Sequence, residues 1–310
     1  MNRTAIGLWL GVVVALHGSS TYGVAQQTAF RAGTDLVLVD ALVRRGNSPV
    51  TGLLAEDFEI LDNGVKQHIN LQITAAIPLD VTFVMDQALV SERLAGMFAS
   101  GSATIATEWL RSGDRIRIIS VGNDVRELVS LQAVETWTST RKPLSAQDFM
   151  VRRHEPVHPS VFDALILAVA LPPEIARRQL AIALTSGANE GAVVDGDALE
   201  RVFARNESVV YVVMPVDSAA GATGSIGVSP HIEYATAALA RAAKVTGGDV
   251  RNASEGVEDF KSILSNFRQA YVLSYTATGV PPSGWHTIRV TIPRHPEYRV
   301  QARTGYLGRQ

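Results

Sequence analysis

The chain has 310 residues, with 28 lysines and arginines against 30 aspartates and glutamates, and hydrophobic residues make up 46% of it. This is the composition of a folded protein with enough apolar material for a large core, and it excludes a mostly disordered chain. The formal net charge of −2 argues against nucleic acid or an anionic membrane surface as partner, because both attract strongly basic proteins. The chain has no cysteine, which excludes disulfides, thiol catalysis and cysteine-ligated metal sites.

Residues 1–25 have the layout of a secretory signal peptide. Arg3 precedes an apolar run over residues 6–16, and small residues follow at Gly23 and Ala25. The run is shorter than the roughly 20 residues that a membrane-spanning helix needs. We therefore predict cleavage after Ala25, no membrane span in the cleaved chain, and export to the periplasm or the extracellular space. An uncleaved membrane anchor is the alternative.

Residues 26–77 are predicted to form the first part of a small β-domain. The run over residues 36–43 is strand-like, with Leu36, Leu38, Asp40 and Leu42 interleaved among Val37, Val39, Ala41 and Val43. A second pair of short strands is predicted at 58–61 and 67–73, on either side of the turn Asp62-Asn63-Gly64.

The pattern changes at Pro78, and residues 78–276 are predicted to form an α/β domain. Short runs rich in β-branched residues alternate with segments of helical spacing, which indicates a doubly wound, mostly parallel sheet covered on both faces. The predicted strands lie at 79–85, 115–121, 124–131, 180–184 and 208–214, and the predicted helices at 91–111, 160–171, 196–206, 231–246 and 256–269.

Residues 277–310 return to a strand pattern. Alternation with period two predicts strands at 285–292 and 298–303. Neither terminal β segment has enough strands to be stable alone. We therefore expect the two segments to pair into one small β-sandwich-like domain, with the α/β domain inserted within it.

The order of several short motifs resembles a known family. The motifs are, in chain order, Phe58-Glu-Ile-Leu-Asp-Asn-Gly-Val-Lys-Gln67, Pro78-Leu-Asp-Val-Thr-Phe-Val-Met-Asp86, Phe162-Asp-Ala-Leu165, Ala183-Leu-Thr-Ser-Gly187, Val210-Tyr-Val-Val213, Tyr271-Val-Leu-Ser-Tyr-Thr276, Trp285-His-Thr-Ile-Arg-Val290 and Arg303-Thr-Gly-Tyr306. With these motifs in this order, the chain resembles the secreted bacterial proteins described as von Willebrand factor type A (VWA)-related domain proteins. The resemblance implies a VWA domain with its ligand face at the carboxyl ends of the strands, where many such domains hold a divalent cation.

The family's metal motif is degenerate in this chain. Its first aspartate corresponds to Asp86, but the two serines that should follow are Ala88 and Val90. The threonine of its second loop falls on Pro159, beside Ser160. Its Thr-Asp-Gly turn is Thr185-Ser186-Gly187, without the carboxylate. Since Mg²⁺ needs a near-octahedral shell of oxygen ligands, we expect no metal and no other cofactor, although Ser91, one residue from an expected position, is a substitute ligand to consider.

The loops after the predicted strands supply the candidate partner-binding face. By position along the chain, its residues are Asp86, Gln87, Ser91, Ser160, Thr185 and Ser186. Asp86 has a second interpretation, because aspartate also accepts backbone N–H groups where a helix or turn begins. The sequence pattern does not separate these two roles.

Three sequence features argue against a catalytic or nucleotide-binding site. His154-Glu-Pro-Val-His158 matches the zinc-protease pattern, but that pattern needs an unbroken helix, and Pro156 lies inside it. No Gly-x-Ser-x-Gly elbow occurs in the chain. The glycines of residues 221–227 match neither a Walker loop nor a dinucleotide-binding turn, and a surface loop is expected there.

The sequence therefore predicts an exported, non-enzymatic protein-interaction module with a VWA-like domain. The protein partner is not identifiable from the sequence. One alternative is a divalent-cation-dependent adhesion domain with an unusual set of ligands. Another is a hydrolase with an unrecognised catalytic triad.

Overall fold

The structure is a computed structural model of the chain. It describes residues 36–72, 77–90, 95–96, 98, 105, 109–139, 144–149, 158–171, 174, 176–215, 230–253 and 257–308. The predicted signal peptide, Ser91, most of the predicted helix at 91–111 and the glycine-rich stretch at 221–227 lie outside the described residues.

The described residues form the following elements. The strands are β1 (Leu36–Arg45), β2 (Ser48–Pro49), β3 (Glu59–Asp62), β4 (Val65–Lys66), β5 (Asn70–Gln72), β6 (Leu79–Asp86), β7 (Arg115–Val121), β8 (Val125–Ala133), β9 (Arg178–Leu184), β10 (Val209–Pro215), β11 (Val250–Ala253), β12 (Tyr271–Thr276), β13 (Gly284–Thr291), β14 (Arg299–Ala302) and β15 (Gly305–Gly308). The helices are α1 (Val134–Ser139), α2 (Val161–Val169), α3 (Gly196–Arg205), α4 (Pro230–Thr246) and α5 (Val257–Gln269), with 3-10 turns at Ala55–Asp57 and Ala146–Asp148.

The central sheet has six strands in the order β11-β10-β9-β6-β7-β8. Its neighbours pair in parallel, except that β8 at one edge runs antiparallel to β7. Strand β6 is buried along its whole length, as expected of a strand covered on both faces. The predicted α/β fold with a mostly parallel sheet is confirmed at this level.

Alternate residues of the sheet belong to two separate cores, one on each face. Phe83 of β6 belongs to a cluster with Phe260 and Phe267 of α5. Its neighbour Val84 belongs to a cluster with residues of α2, α3 and α4 such as Leu165 and Leu239. Helices therefore cover both faces, and in the described part of the chain none of them is long and apolar enough to cross a bilayer.

Two further sheets lie outside the α/β part. Five strands form one of them, in the order β14-β1-β12-β5 with β2 beside β1, and the other has the order β15-β13-β3-β4. Both contribute to a third core, which includes Val39 of β1, Leu273 of β12, Ile60 of β3 and Ile288 of β13. Strands from before and after the α/β part thus share one core.

The structure differs from the sequence pattern at several points, and strands β11 and β15 occupy residues to which the pattern assigned no strand. Strand β12 falls inside the range predicted as α/β, yet it pairs with β1 and β5. Of the strand predicted at 67–73, residues Asn70–Gln72 form β5, while the side chain of Gln67 donates to the carbonyl of Thr278 and accepts from its backbone N–H. Helix α1 occupies residues that the pattern assigned to no element.

Candidate functional site

Asp86 is the last residue of β6 and lies in the middle of the central sheet. It pairs in register with Val121 of β7, and its side chain is fully buried. The chain turns directly afterwards, with the N–H of Leu89 donating to the carbonyl of Asp86 at 3.0 Å. The carboxylate at the end of β6 is therefore buried away from solvent.

The two oxygens of the Asp86 carboxylate have unequal surroundings. Oδ1 accepts from the backbone N–H of Ala88 at 3.0 Å. Within the described part of the chain, Oδ2 has long contacts only, at 3.4 Å to the hydroxyl of Thr185 and at 3.5 Å to the N–H and to the hydroxyl of Ser186. Burial raises the pKa of Asp86 above its ordinary value, and these hydrogen bonds oppose the rise only in part.

The loop after β9 has a fixed conformation beside this carboxylate. The hydroxyl of Thr185 accepts from the N–H of Gly187 at 3.0 Å, and the hydroxyl of Ser186 accepts from the N–H of Ala188 at 3.2 Å. Gly187 has a φ of 81°, which glycine adopts without strain. The two hydroxyls that face Asp86 are therefore held by their own loop.

The remaining predicted face residues are placed differently. The amide of Gln87 donates to the hydroxyl of Ser120 at 2.8 Å, and the residue is only 9% exposed. Ser160 precedes α2 and makes no side-chain cap hydrogen bond to that helix. Ser91 lies outside the described residues. The structure thus brings Asp86, Thr185 and Ser186 together, turns Gln87 toward β7, and records no contact between Ser160 and Asp86.

Hydrogen bonds tie the loops of this end of the sheet to one another. Asn189, after β9, accepts from the N–H of Phe162 in α2 at 2.9 Å. Asn123, after β7, accepts from the N–H of His158 at 2.8 Å. The ring of His158 is 2.9 Å from the carboxylate of Glu190. The rest of the zinc-protease pattern, His154 to Val157, lies outside the described residues.

Among the described residues, few oxygen ligands for a magnesium ion lie beside Asp86. Asp86, Thr185 and Ser186 supply one carboxylate and two hydroxyls, and Asp86 Oδ1 is already bonded to a backbone N–H. Mg²⁺ requires near-ideal octahedral geometry at about 2.0–2.1 Å. In the described part of the chain, no group of three or more histidine, aspartate or glutamate side chains is positioned to hold a metal.

The opposite end of β6 carries a second buried aspartate, Asp80. Its carboxylate accepts from Nε of Arg115 and from Nε of Arg177, each at 2.7 Å. Glu174 pairs with Arg115 from the outside. A side-chain hydrogen bond to Asp80 raises the pKa of Arg115 above its ordinary value, so the guanidinium of Arg115 stays charged.

A third buried aspartate lies in the β-sandwich-like part, and sequence reasoning assigned it only to a turn. Asp62, at the end of β3, is fully buried. Its carboxylate accepts from the hydroxyls of Tyr275 and Tyr306, each at 2.9 Å, and lies 2.8 Å from Nδ1 of His286. Burial and the charge of Asp62 raise the pKa of both tyrosines, so both hydroxyls stay protonated and donate.

His286 and Asp62 have the geometry of the base and the orienting residue of a hydrolase, but no nucleophile accompanies them among the described residues. His286 is 1% exposed, and its Nε2 has no hydrogen-bond partner among the described residues. A catalytic triad needs a hydroxyl or thiol at that nitrogen. The pair links strands β3 and β13, and its signal in the sequence, an aspartate before a hairpin turn, carries no hint of the distant histidine.

Comparisons with known proteins give only weak matches. No family model matches the chain, and no curated protein matches it. Proximal thread matrix protein 1 of the mussel byssus is 10% identical with a TM-score of 0.38; the match covers 62% of this chain and 48% of that one. BatB, a conserved hypothetical protein of Bacteroides thetaiotaomicron, is 12% identical with a TM-score of 0.40, and the match covers 61% and 96% of the two chains.

A third match is the human COPII-coat protein Sec24c, at 9% identity and a TM-score of 0.38, covering 78% of this chain and 47% of that one. The chain therefore spans about half the length of the mussel and human proteins that it matches. At these identities and TM-scores, the matches give no basis for transferring a function to this chain.

Proposed function

We propose that this protein is an exported, non-enzymatic interaction module, in which a VWA-like α/β domain binds a protein partner through the carboxyl ends of β6 and β9. The observation that carries the proposal is the meeting of Asp86, Thr185 and Ser186. The chain runs from β6 outward through β7 and β8, and then returns to β9 on the other side of β6. Open α/β sheets bind ligands at such a reversal of strand order.

The chemistry at this position favours binding over catalysis. The groups that contact Asp86 in the described structure are hydroxyls and backbone amides. A hydroxyl nucleophile needs a base within hydrogen-bond reach, about 2.6–3.2 Å, to activate it, whereas the hydroxyls of Thr185 and Ser186 lie 3.4 Å and 3.5 Å from Oδ2 of Asp86. Fold and position alone do not assign a function, so the proposal depends on finding a partner at this face.

The export part of the proposal depends on residues 1–25, whose basic start, apolar run and small residues are typical of a signal peptide. Detection of a chain that begins at Gln26 outside the cytoplasm supports it. Detection of the uncleaved chain, with residues 1–25 still attached, in the cytoplasm contradicts it.

We propose that binding does not require a metal. Ala88 and Val90 replace the hydroxyls of the family motif, and the turn at Thr185 has no carboxylate. These replacements leave fewer oxygen ligands than the octahedral shell of Mg²⁺ needs.

A cation-dependent adhesion domain is the second candidate. The hydroxyls of Thr185 and Ser186 lie 3.4 Å and 3.5 Å from Oδ2 of Asp86. A cation bound between these three side-chain oxygens would be coordinated by all of them. Under this alternative, a divalent cation stabilises the folded state by mass action.

Thermal unfolding of residues 26–310 separates the two candidates. The protein is first treated with a chelator, and Mg²⁺, Mn²⁺ or Ca²⁺ is then titrated into it and into Asp86→Asn, which keeps the side-chain shape and removes the charge. We expect no rise in melting temperature for either protein. A dose-dependent rise in the natural protein that Asp86→Asn abolishes would establish the cation-dependent alternative.

Site-specific photo-crosslinking tests the binding face directly. Ala88 is exposed next to Asp86, and Glu258 is exposed on α5; a photoreactive residue replaces each in turn. We expect protein adducts from position 88 in the presence of chelator and none from position 258. Equal adducts from both positions, or adducts that chelation removes, contradict the proposal.

A further inference from the structure

The outer face of the four-stranded sheet carries an exposed tryptophan. On β13, Trp285, Thr287 and Arg289 point outward, while the intervening His286 and Ile288 are buried. We refer to these three outward side chains as the Trp285 face. Because same-face residues of a strand are about 6.8 Å apart, they form a straight row of an aromatic ring, a hydroxyl and a guanidinium group.

The ring of Trp285 lies across the neighbouring strand. Thr287 pairs with Gly305 of β15, and Trp285 pairs with Leu307. A Cβ built on Gly305 would lie 2.7 Å from Cζ2 of Trp285, so the indole covers the space where a side chain would stand. One side of the ring thus rests on the backbone of β15, and the residue remains 45% exposed.

The other end of the Trp285 face carries a free positive charge. Arg289 is exposed and pairs in register with Leu61 of β3. In the described part of the chain, no carboxylate lies within ion-pair distance of Arg289. Nearby Glu59 pairs with Lys66 at 2.9 Å. An anionic group is therefore the electrostatic complement of this end.

The surroundings favour a ring-shaped ligand over a peptide strand. Peptides that add to a sheet need an open strand edge. Strand β15 lies against α3 and α4, and β4, at the other edge, has only two residues. The accessible feature is a flat aromatic surface with polar groups in line. A pyranose ring stacks its C–H face on such a surface and presents its hydroxyls sideways.

We propose that the Trp285 face binds an acidic oligosaccharide, with one sugar ring stacked on Trp285 and a uronate carboxylate paired with Arg289. The hydroxyl of Thr287, between them, bonds a sugar hydroxyl. A guanidinium holds a carboxylate in two parallel hydrogen bonds, which fixes the chain direction along β13. This site is independent of the face at Asp86, and either can fail without the other.

Calorimetric titration of the full chain with tetragalacturonate tests the proposal, with maltotetraose as the neutral sugar and a tetraglutamate peptide as the acidic non-sugar. We expect tetragalacturonate to bind more tightly than either. Loss of the stacked ring in Trp285→Ala should weaken binding about tenfold, with partial rescue in Trp285→Phe. Arg289→Gln should weaken tetragalacturonate several-fold and leave maltotetraose unchanged.

Two variants control for changes elsewhere. Trp137→Phe alters a tryptophan of α1, and Arg299→Gln removes an exposed charge from β14, in the other sheet; neither should change the affinity. The proposal is overturned if tetragalacturonate does not bind at millimolar concentration, if Trp285→Ala and Trp285→Phe bind it as the natural chain does, or if tetraglutamate binds equally well.

Discussion

The two ends of strand β6 carry buried aspartates in opposite electrostatic surroundings. At the amino end, Asp80 accepts hydrogen bonds from Arg115 and Arg177, each at 2.7 Å. At the carboxyl end, Asp86 has one good hydrogen bond, from Ala88, and its other oxygen has only contacts of 3.4–3.5 Å. The same side chain on the same strand has two arginine partners at one end and, among the residues that the structure describes, no cationic partner at the other.

This difference suggests different roles for the two ends of β6, stability at the amino end and binding at the carboxyl end. A buried carboxylate paired with arginines holds elements of the fold together, whereas an uncompensated one costs folding free energy. Carboxylates kept at such a cost cluster at functional sites. The amino end of β6 is therefore expected to respond to mutation through stability, and the carboxyl end through binding.

The largest expected effect is at the amino end. Asp80→Ala leaves two partly buried guanidinium groups, those of Arg115 and Arg177, without their shared partner, and should lower the free energy of unfolding by about 3 kcal/mol. Urea unfolding measures it. Glu174→Ala removes only the outer pair to Arg115 and should change stability by less than about 1 kcal/mol. Equal effects for the two variants would show that Asp80 does not hold the cluster.

A comparison for these stability effects comes from the Asp62 cluster, which consists of Asp62, Tyr275, His286 and Tyr306. Asp62→Ala leaves two buried tyrosine hydroxyls and Nδ1 of His286 without a partner, and should cost about 2 kcal/mol or more. Tyr306→Phe removes one of the three hydrogen bonds and should cost about 1 kcal/mol. If urea unfolding ranks Tyr306→Phe above Asp62→Ala, the carboxylate is not the centre of this cluster.

The smallest expected effect is at Asp86, where we expect a substitution to raise the free energy of unfolding and not to lower it. Because burial raises the pKa of Asp86 in the folded state, folding is most favourable with Asp86 protonated, and stability is lost as the pH rises through that pKa. Asp86→Asn should therefore stabilise the protein at pH 7, with a gain smaller than either loss above. The gain should shrink as the pH falls toward 3.8, the ordinary pKa of the group.

Urea unfolding of both proteins between pH 3.5 and pH 7 checks this prediction. A gain that does not depend on pH would mean that packing, and not charge, causes it. Destabilisation by Asp86→Asn at pH 7 would falsify the view that the carboxylate is uncompensated.

The sequence predicted the alternation of strands and helices well, because buried parallel strands such as β6 and β9 are continuous apolar runs between helical segments. It also placed Asp86, Thr185 and Ser186 at the ends of two predicted strands, which the structure shows to be neighbours in the sheet. It did not predict that Gln87 turns inward, since that depends on the hydroxyl of Ser120, 33 residues away.

The Asp62 cluster shows a different limit. Its members come from β3, β12, β13 and β15, and the pairing of β13 with both β3 and β15 brings them together. A local pattern gives the strand and the turn, but it does not give the register between strands so distant in the chain. Sequence reasoning therefore found Asp62 as a turn residue and missed its role in the core.

The same long-range pairing has a kinetic consequence. Asp62 meets Tyr275, His286 and Tyr306 across separations of 213, 224 and 244 residues. Closing such loops slows folding, because the entropy cost precedes the contacts that offset it. Strand β3 can pair with the nearby β4, but we expect it to lack β13 until the α/β part between them has folded. A folding intermediate with a formed central sheet and an open third core is the expected consequence, and the last step of folding joins the two distant segments around Asp62.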